Sequence, residues 1–500
     1  MLGMFKLLKH MEIENLWIRL FGAIVYTFSG FIAAHLTMGH ISFHNIVYIP
    51  WLASLFVWSH KNDKFSFAIP VLLAIMVYAG QNVPSIFIIL ILFSFLFYTK
   101  LKRFFIYILL GILLSLPKII SSYQLLSWFP RKLEIGYVSK SWIETFKVMI
   151  KALIWPNQQW LNYKSDSVVG AWELNGYVGI LVLVLAIVCI IKYKTLVKQQ
   201  KYIKSMLLVI LFAVLLYPGN LNPIWYILSK NIAINSLHIP TRFIGLLSLP
   251  LAVLSAIGLY YISEKIIKRN NIILPVICIF IFWDYFRVNQ PYFDHVQDKC
   301  TIENKSYFDK ENNFTHDVGP DWNSISSTVF ETDFMSKYLQ DNKGVLQYFE
   351  ALLGYDSYGF LRRSLVRGGN IGLYNKNPDI NIKWISPSKV KVELTKNNKE
   401  NMEIPININY LPGWRIISKK EGVSLNKDWT PSRWGLLTVF LDEKFPIGEK
   451  EKIELKFSPT LIVKLGFIIA IMTLMLIFVV AHLARQCHNG GLIGIKRNAE

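Results

Sequence analysis

The chain has 500 residues, 53% of them hydrophobic and 17% charged, with a formal net charge of +20 at pH 7. This composition argues against an ordinary soluble protein, because several stretches approach the ~20 apolar residues that cross a bilayer. Residues 288–458 contain 23 Lys and Arg and 23 Asp and Glu, so the positive excess lies in the apolar remainder. Basic loops beside apolar spans orient membrane proteins, and nucleic-acid binding is not predicted.

Apolar runs along the chain predict a polytopic α-helical membrane protein with about ten transmembrane helices. Lys and Arg concentrate in alternate loops, which places both termini in the cytoplasm. We expect a helical bundle over 1–287, an outer domain over 288–458, a last helix over 459–484 and a cytoplasmic tail over 485–500. The predicted spans are Trp17–Ala34, Phe43–Ser59, Phe65–Ala79, Val83–Tyr98, Phe104–Ile120, Leu174–Ile191, Ser205–Tyr217, Ile239–Ile262, Asn271–Phe286 and Leu461–Ala484.

A long polar break, 121–173, separates two of these spans and is predicted to lie on the outer face. Within it, residues 141–155 (SWIETFKVMIKALIW) place apolar side chains at helical spacing, with Glu144, Lys147 and Lys151 on the other side. An amphipathic helix with aromatics and lysines is typical of a membrane interface. We interpret the break as a platform that covers a site between membrane helices.

The segment before the last span changes to polar, Asn-rich sequence and is predicted to form an extracytoplasmic, β-sandwich-like domain. A helix is predicted within Phe330–Leu353, and Trp414 after Pro412–Gly413 is predicted to be a packed core aromatic. Alternating runs bounded by Pro, Gly and Asn predict strands. These strands are Asn381–Ile385, Val390–Thr395, Met402–Asn409, Leu436–Phe440 and Lys452–Phe457.

Several runs, taken in order, resemble one family. They are FGAIVYTFSGFIAAHLTMGH (21–40), YIPWLASL (48–55), AGQNVPSIF (79–87), LSLPKIISSYQLLSWFPR (114–131), WELNGYVGILVLVLAIV (172–188), HIPTRFIGLLSLPLAVLSAIGL (238–259) and YLPGWRI (410–416). The ordered set resembles the bacterial YfhO-like multi-pass membrane proteins of the GT-C glycosyltransferase superfamily, over nearly the whole chain.

The resemblance implies a transferase that takes a sugar from a polyprenyl phosphate on the outer face of the bacterial cell membrane. It also implies an acidic residue in the first outer loop. Here that loop (LTMGHISFHN) contains neither Asp nor Glu. Compared with the family, the chain lacks the first two helices and this acidic loop, which indicates either a truncated reading frame or a lost catalytic acid.

Such a transferase needs a base for the acceptor's proton and cations for the donor phosphate. Glu173, at the outer start of a predicted helix, is the best candidate base, with helix capping as the alternative. Asp166 is the second acidic candidate, although a solvated loop acid is the favoured alternative. Arg242 and His238 lie one turn apart and are predicted to meet phosphate, where snorkelling to headgroups is the alternative for the arginine.

Lys118, just inside the outer end of a helix, is a further candidate for the phosphate because charges inside membranes are commonly functional. Snorkelling to the headgroups is the favoured alternative for this lysine. Arg131 is a candidate for the headgroup or sugar. Asp284 and Arg287 are expected to form a local ion pair. A metal site among His35, His40 and His44 is only weakly indicated by their spacing, and no cofactor is identified. The remaining candidates, predicted to line the substrate site, are His40, His44, Gln81, Asn82 and Tyr177.

Two other functions remain open. The missing acidic loop supports a non-catalytic scaffold or glycan-binding component of envelope polysaccharide assembly. A lipid or polysaccharide transporter is less favoured, because the sequence has neither an inverted repeat nor paired broken helices.

Overall fold

The computed structural model describes a mostly helical chain with a small β region before the last helix. Its α-helices are α1 (Leu2–His10), α2 (Leu16–Thr27), α3 (Gly30–Thr37), α4 (Ile49–Asn62), α5 (Ala68–Ala79), α6 (Leu101–Trp128), α7 (Trp142–Ile154), α8 (Ile180–Ile191), α9 (Gln200–Leu216), α10 (Pro223–Leu228), α11 (Ser248–Ile262), α12 (Ile273–Lys299) and α13 (Leu461–Lys496). The residues described are 1–37, 41–80, 100–128, 141–155, 171–228, 230, 240–267, 272–299, 315–317, 343–345, 380–386, 388–395, 402–409, 413–418, 421–425, 436–442 and 450–496.

Several helices could span a membrane. Among the described residues five helices are long and apolar enough, or six if the bent pair α2–α3 is one span. α5 and α8 are apolar but shorter. The predicted span Val83–Tyr98 lies outside the described residues. The five candidate spans are Leu101–Gln124, Val197–Leu216, Pro240–Lys265, Ile273–Gln290 and Leu461–Leu483.

The bundle is built around the segment that contains α11. In the most apolar stretch of Pro240–Lys265, 89% of the residues are buried. The corresponding share is 22% in α13 and 28% in α12. α11 packs most extensively on α8, where Gly258 lies against the backbone carbonyl of Leu185 and a side chain would clash. The outer helices therefore leave wide apolar faces that no described part of the chain covers, as lipid-facing helices do.

The predicted span Trp17–Ala34 is a broken helix, because α2 and α3 are bent by 48° at Phe28–Ser29. The break frees backbone groups that need partners inside an apolar bundle. Asn289 of α12 donates to the Phe28 carbonyl at 2.9 Å, and the Gly30 amide donates to the Tyr177 carbonyl at 2.9 Å. The segment before α8 therefore packs directly against the bend. Only glycine fits at position 30, because a Cβ there would clash with Asn175 and Tyr177.

Several predicted helix boundaries move in the structure. α13 continues past Ala484 to Lys496, through most of the segment 485–500 that was predicted to be a tail. α6 continues past Ile120 to Trp128, so the polar break begins later than 121. α8 begins at Ile180 rather than Leu174, because residues 175–179 form a non-helical segment beside the bend. α12 continues past Phe286 to Lys299, into the segment that was predicted to begin the outer domain.

The predicted amphipathic helix is present as α7, and it packs on the bundle through small side chains. Thr145, Met149 and Ala152 are buried, whereas Ile143 and Ile150 are 68% and 52% exposed. The Thr145 hydroxyl donates to the Ser141 carbonyl at 2.9 Å, which satisfies it locally. Small Thr and Ala side chains allow close approach to the bundle, so the larger aliphatic side chains are left facing outward.

The β region contains a four-stranded sheet of order β3-β4-β9-β6 and a three-stranded sheet of order β5-β8-β7. Both sheets contribute alternate side chains to one hydrophobic core, which includes Val392, Ile453, Ile404 and Val439. A separate parallel pair, β1–β2, precedes them. The strands are β1 (Thr315–Asp317), β2 (Lys343–Val345), β3 (Ile380–Ser386), β4 (Lys389–Thr395), β5 (Met402–Asn409), β6 (Trp414–Ile416), β7 (Val423–Leu425), β8 (Leu436–Leu441) and β9 (Lys450–Phe457).

All five predicted strands are present within two residues at either end. β6 and β7 are too short to show alternation and were not predicted. Trp414 is 8% exposed and packs edge-on against Phe457, with ring centroids 5.7 Å apart, as expected for a core aromatic. The described part of Phe330–Leu353 is strand β2 rather than helix; the rest of that range lies outside the described residues.

Candidate functional site

Glu173 and Arg242 form a two-point ion pair. Glu173 lies in the 3₁₀ turn Ala171–Leu174, and Arg242 in the 3₁₀ segment Pro240–Leu247 that leads into α11. Arg242 Nε donates to Glu173 Oε2 at 2.8 Å, and Arg242 Nη2 donates to Oε1 at 2.6 Å. The planar fork of arginine matches a carboxylate in this way and holds both groups in one orientation.

His35 of α3 is the third member of this cluster. Its Nε2 lies 3.2 Å from Glu173 Oε2, and its Nδ1 lies 3.0 Å from the Phe31 carbonyl oxygen. Both neighbours are acceptors, so the ring satisfies both contacts only when both nitrogens carry hydrogen. In that form the cluster of His35, Glu173 and Arg242 has one net positive charge.

Two aromatic rings pack on His35. Phe31 stacks on it with centroids 4.1 Å apart, and Phe43 lies 4.2 Å from it and 5.6 Å from Phe31. The Arg242 guanidinium carbon lies 5.1 Å from the centre of the Phe43 ring, within cation–π distance. The Glu173 side chain is 2% exposed, and its removal from water strengthens its electrostatic interactions.

Exposure differs sharply among the three charged side chains. The side chains of Glu173 and His35 are 2% and 1% exposed, whereas that of Arg242 is 21% exposed. The carboxylate therefore lies beneath the guanidinium, which is the group of the three that an external anion can reach.

The pKa of Glu173 lies well below its ordinary value. Burial by itself would raise this pKa, because an apolar setting disfavours the charged form. The positive charge of Arg242, with hydrogen bonds from Arg242 and His35, outweighs burial. Glu173 is therefore held as a carboxylate.

The chain after Glu173 connects this cluster to a second polar group. The amides of Val178 and Gly179 both donate to the Leu153 carbonyl of α7 at 3.1 Å. Gly179 adopts φ +84°, a left-handed conformation that favours glycine. Residues 175–179 are thus fixed between α7 and the bend of α2–α3.

Tyr177 belongs to the second group. Its hydroxyl donates to Asp284 Oδ2 at 2.7 Å, and Arg287 Nη2 lies 3.4 Å from Asp284 Oδ1. Burial, followed by the hydrogen bond to Asp284, raises the pKa of Tyr177. The expected ion pair of Asp284 and Arg287 is confirmed, but the carboxylate also anchors the tyrosine.

The structure brings Glu173 and Arg242 together, whereas the other described candidates lie apart from them. Tyr177 points its hydroxyl to Asp284, and His44 is exposed on the 3₁₀ segment Ile41–Tyr48. Lys118 is half-buried on α6, a helix that packs on α5 and α13. The candidates outside the described residues are Asp166, Arg131, His238, His40, Gln81 and Asn82.

Sequence reasoning missed His35 and Phe43 as members of the cluster. His35 was assigned to the first outer loop, but it lies in α3 and faces inward. Its position four residues after Phe31 was the available signal, since that spacing puts both rings on one helix face.

Comparison of the sequence with protein-family models and with curated proteins, and of the fold with solved structures, finds no match to this chain.

Proposed function

We propose that this chain is a multi-pass bacterial membrane protein of the GT-C glycosyltransferase type. It transfers a sugar from a polyprenyl phosphate to an envelope glycan or lipid on the outer face. The observation that supports this most directly is the arrangement of Arg242, which is partly exposed and held from beneath by the buried carboxylate of Glu173. The planar arginine fork suits both carboxylate and phosphate, so Arg242 can exchange Glu173 for the phosphate of the donor.

In this proposal Arg242 binds the donor phosphate and stabilises it as the leaving group. The acceptor hydroxyl oxygen attacks the anomeric carbon, the bond from that carbon to the phosphate oxygen breaks, and the phosphate leaves with the electron pair. The hydroxyl proton must pass to a base. Glu173 can accept it only after Arg242 has turned toward the phosphate, because both carboxylate oxygens now bond to Arg242. Before that exchange Glu173 is a positioning residue.

The predicted topology fits this assignment. With about ten spans and both termini in the cytoplasm, the Glu173 cluster and residues 288–458 face outward. The helices that carry exposed apolar faces support a membrane setting. The lysines of α9 and the loop before it lie at the other end of the bundle, as expected for the cytoplasmic side.

The test uses the full chain in bacterial membranes, with sugar transfer from the polyprenyl-phosphate pool to envelope glycan followed by mass spectrometry. The double variant Arg242→Gln/Glu173→Gln removes both charges together and so avoids leaving one buried and unpaired. We expect transfer to fall by about 100-fold or more, since one electrostatic contact to the reacting group contributes that much. The matched control is Arg287→Gln, which removes an exposed arginine that also pairs with a carboxylate.

Equal transfer by wild type and the double variant, at equal membrane levels, would reject the assignment of Arg242. Retention of a polyprenyl phosphate by the purified protein provides a second readout. Wild type and Arg287→Gln should retain it, and the double variant should not.

A non-catalytic scaffold is the second candidate. It is favoured by the mutual satisfaction of Glu173 and Arg242, which is also what a structural tie between chain segments requires. In that case the purified wild type transfers no sugar, and the double variant supports glycan assembly in cells as well as wild type does.

A further inference from the structure

A second charged cluster lies at the opposite end of the bundle. Lys61 Nζ is 2.5 Å from Glu12 Oε1, and Asp63 Oδ1 accepts from Lys100 Nζ at 2.5 Å and from Arg103 Nη2 at 2.9 Å. These groups come from the loop after α1, the end of α4 and the start of α6. Lys198 and Lys201, at the start of α9, act on Glu12 through their charge. We call the five cations Lys61, Lys100, Arg103, Lys198 and Lys201 the basic patch.

The patch has an excess of positive charge, since five cations face the two carboxylates of Glu12 and Asp63. Two neighbouring groups respond to that excess. The pKa of Glu12 is lowered, first by the hydrogen bond from Lys61 and further by the charges of Lys198 and Lys201. The pKa of His60 is lowered by burial first and then by Lys201, Lys100 and Arg103, although Asp63 opposes them.

Both carboxylates of the patch belong to residues in the left-handed backbone conformation. Glu12 has φ 68° and Asp63 has φ 53°, and among the described residues they are the only non-glycine residues with positive φ. Asp tolerates this left-handed conformation, but Glu seldom adopts it. Both residues lie at helix ends, Asp63 as the C-cap of α4 and Glu12 directly after the C-cap of α1, where a left-handed residue commonly terminates a helix.

The position of the patch puts it far from the Glu173 cluster. α4 starts beside the segment that contains Phe43 and ends beside Lys61, which separates the two clusters by about 20 Å along the helix. α9 likewise starts at the patch and ends near the segment of Arg242. The patch is therefore a separate surface and does not belong to the candidate transferase site.

Apolar side chains adjoin the cations in the sequence and are exposed. Phe105 and Leu101 of α6 are 63% and 44% exposed, and Val197 beside Lys198 is 71% exposed. A ligand that matches this surface has an anionic head for the cations and an apolar body for the helix sides. A soluble phosphate has the first property and lacks the second.

We propose that the basic patch is a binding site for the headgroup of an anionic phospholipid, with its acyl chains against the exposed start of α6 and the Val197 segment. Clusters of Lys and Arg at a membrane border bind anionic headgroups in this way. Glu12 and Asp63 hold the cations in place and compete with the headgroup for them. This inference depends on the membrane setting but not on sugar transfer.

The test is native mass spectrometry of the purified full chain in detergent. Equimolar dioleoyl phosphatidylglycerol and dioleoyl phosphatidylcholine, which differ in headgroup charge, compete for binding. Wild type should prefer phosphatidylglycerol. Lys198→Gln/Lys201→Gln leaves the three ion pairs of the patch intact and should lower the preference by about fivefold per cation. Asp63→Asn should raise the preference by a similar factor, which a misfolded variant would not do.

The matched control is Lys389→Gln/Lys391→Gln, which removes two paired lysines from the β region and should leave the preference unchanged. An unchanged preference in the Lys198/Lys201 variant, or an equal fall in the control, would overturn the proposal. No rise in Asp63→Asn would also count against it. Displacement of the bound lipid by excess inorganic phosphate would overturn the lipid assignment in favour of a soluble phosphate.

Discussion

The two charged clusters at the ends of the bundle use the same residue types under opposite conditions. Around Glu173 one carboxylate is buried and takes both donors of one arginine fork. Around Asp63 and Glu12 the carboxylates are exposed to water and share more cations than they can neutralise. Because the first pair is buried, removing one partner strongly destabilises the other. Because the second set is exposed to water, its charges contribute little to stability and can change partners. This contrast suits the first cluster to fixing a geometry and the second to recruiting an anion.

The largest effect is expected for Arg242→Met, which leaves the Glu173 carboxylate buried without its main partner. We expect a loss of about 3 kcal/mol in the free energy of unfolding. It is measured by titrating the detergent-solubilised protein with a denaturing detergent. The double variant Arg242→Met/Glu173→Leu should recover most of this loss, because it removes both charges of the ion pair together. Equal losses in the single and double variants would show that the two charges are not coupled.

Acidification should weaken the same pair by a smaller amount, because protonation neutralises the carboxylate instead of leaving it charged. The folded pKa of Glu173 is depressed, so its contribution to stability is present above the unfolded value near 4.5 and is lost as pH falls below it. The melting temperature of wild type should therefore fall in this range. The melting temperature of Glu173→Gln should fall less than that of wild type over the same pH range, because its side chain does not titrate. An identical pH profile of the melting temperature in both proteins would contradict the lowered pKa.

A still smaller effect is expected for Tyr177→Phe, which removes the hydroxyl that donates to Asp284. Asp284 keeps Arg287, so its carboxylate is not left alone. We expect a loss of about 1 kcal/mol in the free energy of unfolding. Tyr123→Phe on α6, which removes the same hydroxyl group from a tyrosine that is 64% exposed, serves as the matched control. A change in sugar transfer larger than the change in folded protein would assign Tyr177 to the substrate site instead.

The smallest effect on stability is expected at the exposed end. Asp63→Asn breaks two ion pairs, but its side chain is 66% exposed, and pairs in water contribute about 0–1 kcal/mol. The neutral side chain also keeps a residue type that tolerates the left-handed backbone. A loss as large as that for Arg242→Met would remove the contrast between the clusters, and unfolding at low and high salt would reveal any residual charge effect.

Much of the architecture follows from sequence periodicity. Long apolar runs predicted where helices lie, and strict alternation predicted five strands of the β region, because both patterns reflect which faces must leave water. The amphipathic segment 141–155 is a helix for the same reason. Its buried face was not predicted, since Thr145 and Ala152 are small rather than apolar and only the neighbouring surface determines that they fit.

The pairing of Glu173 with Arg242 was beyond the sequence, although both residues were singled out for their positions at helix starts. The two are 69 positions apart, and no local pattern encodes a contact at that separation. The bend at Phe28–Ser29 directs α3 so that His35 reaches Glu173. Asn289 and Tyr177 stabilise this bend by hydrogen bonding to the backbone groups of Phe28 and Gly30. Composition and periodicity thus determined which segments are apolar, helical or stranded, since these follow from each residue's own preference for water. Tertiary packing decided which charges meet, because a buried charge must find its partner in space.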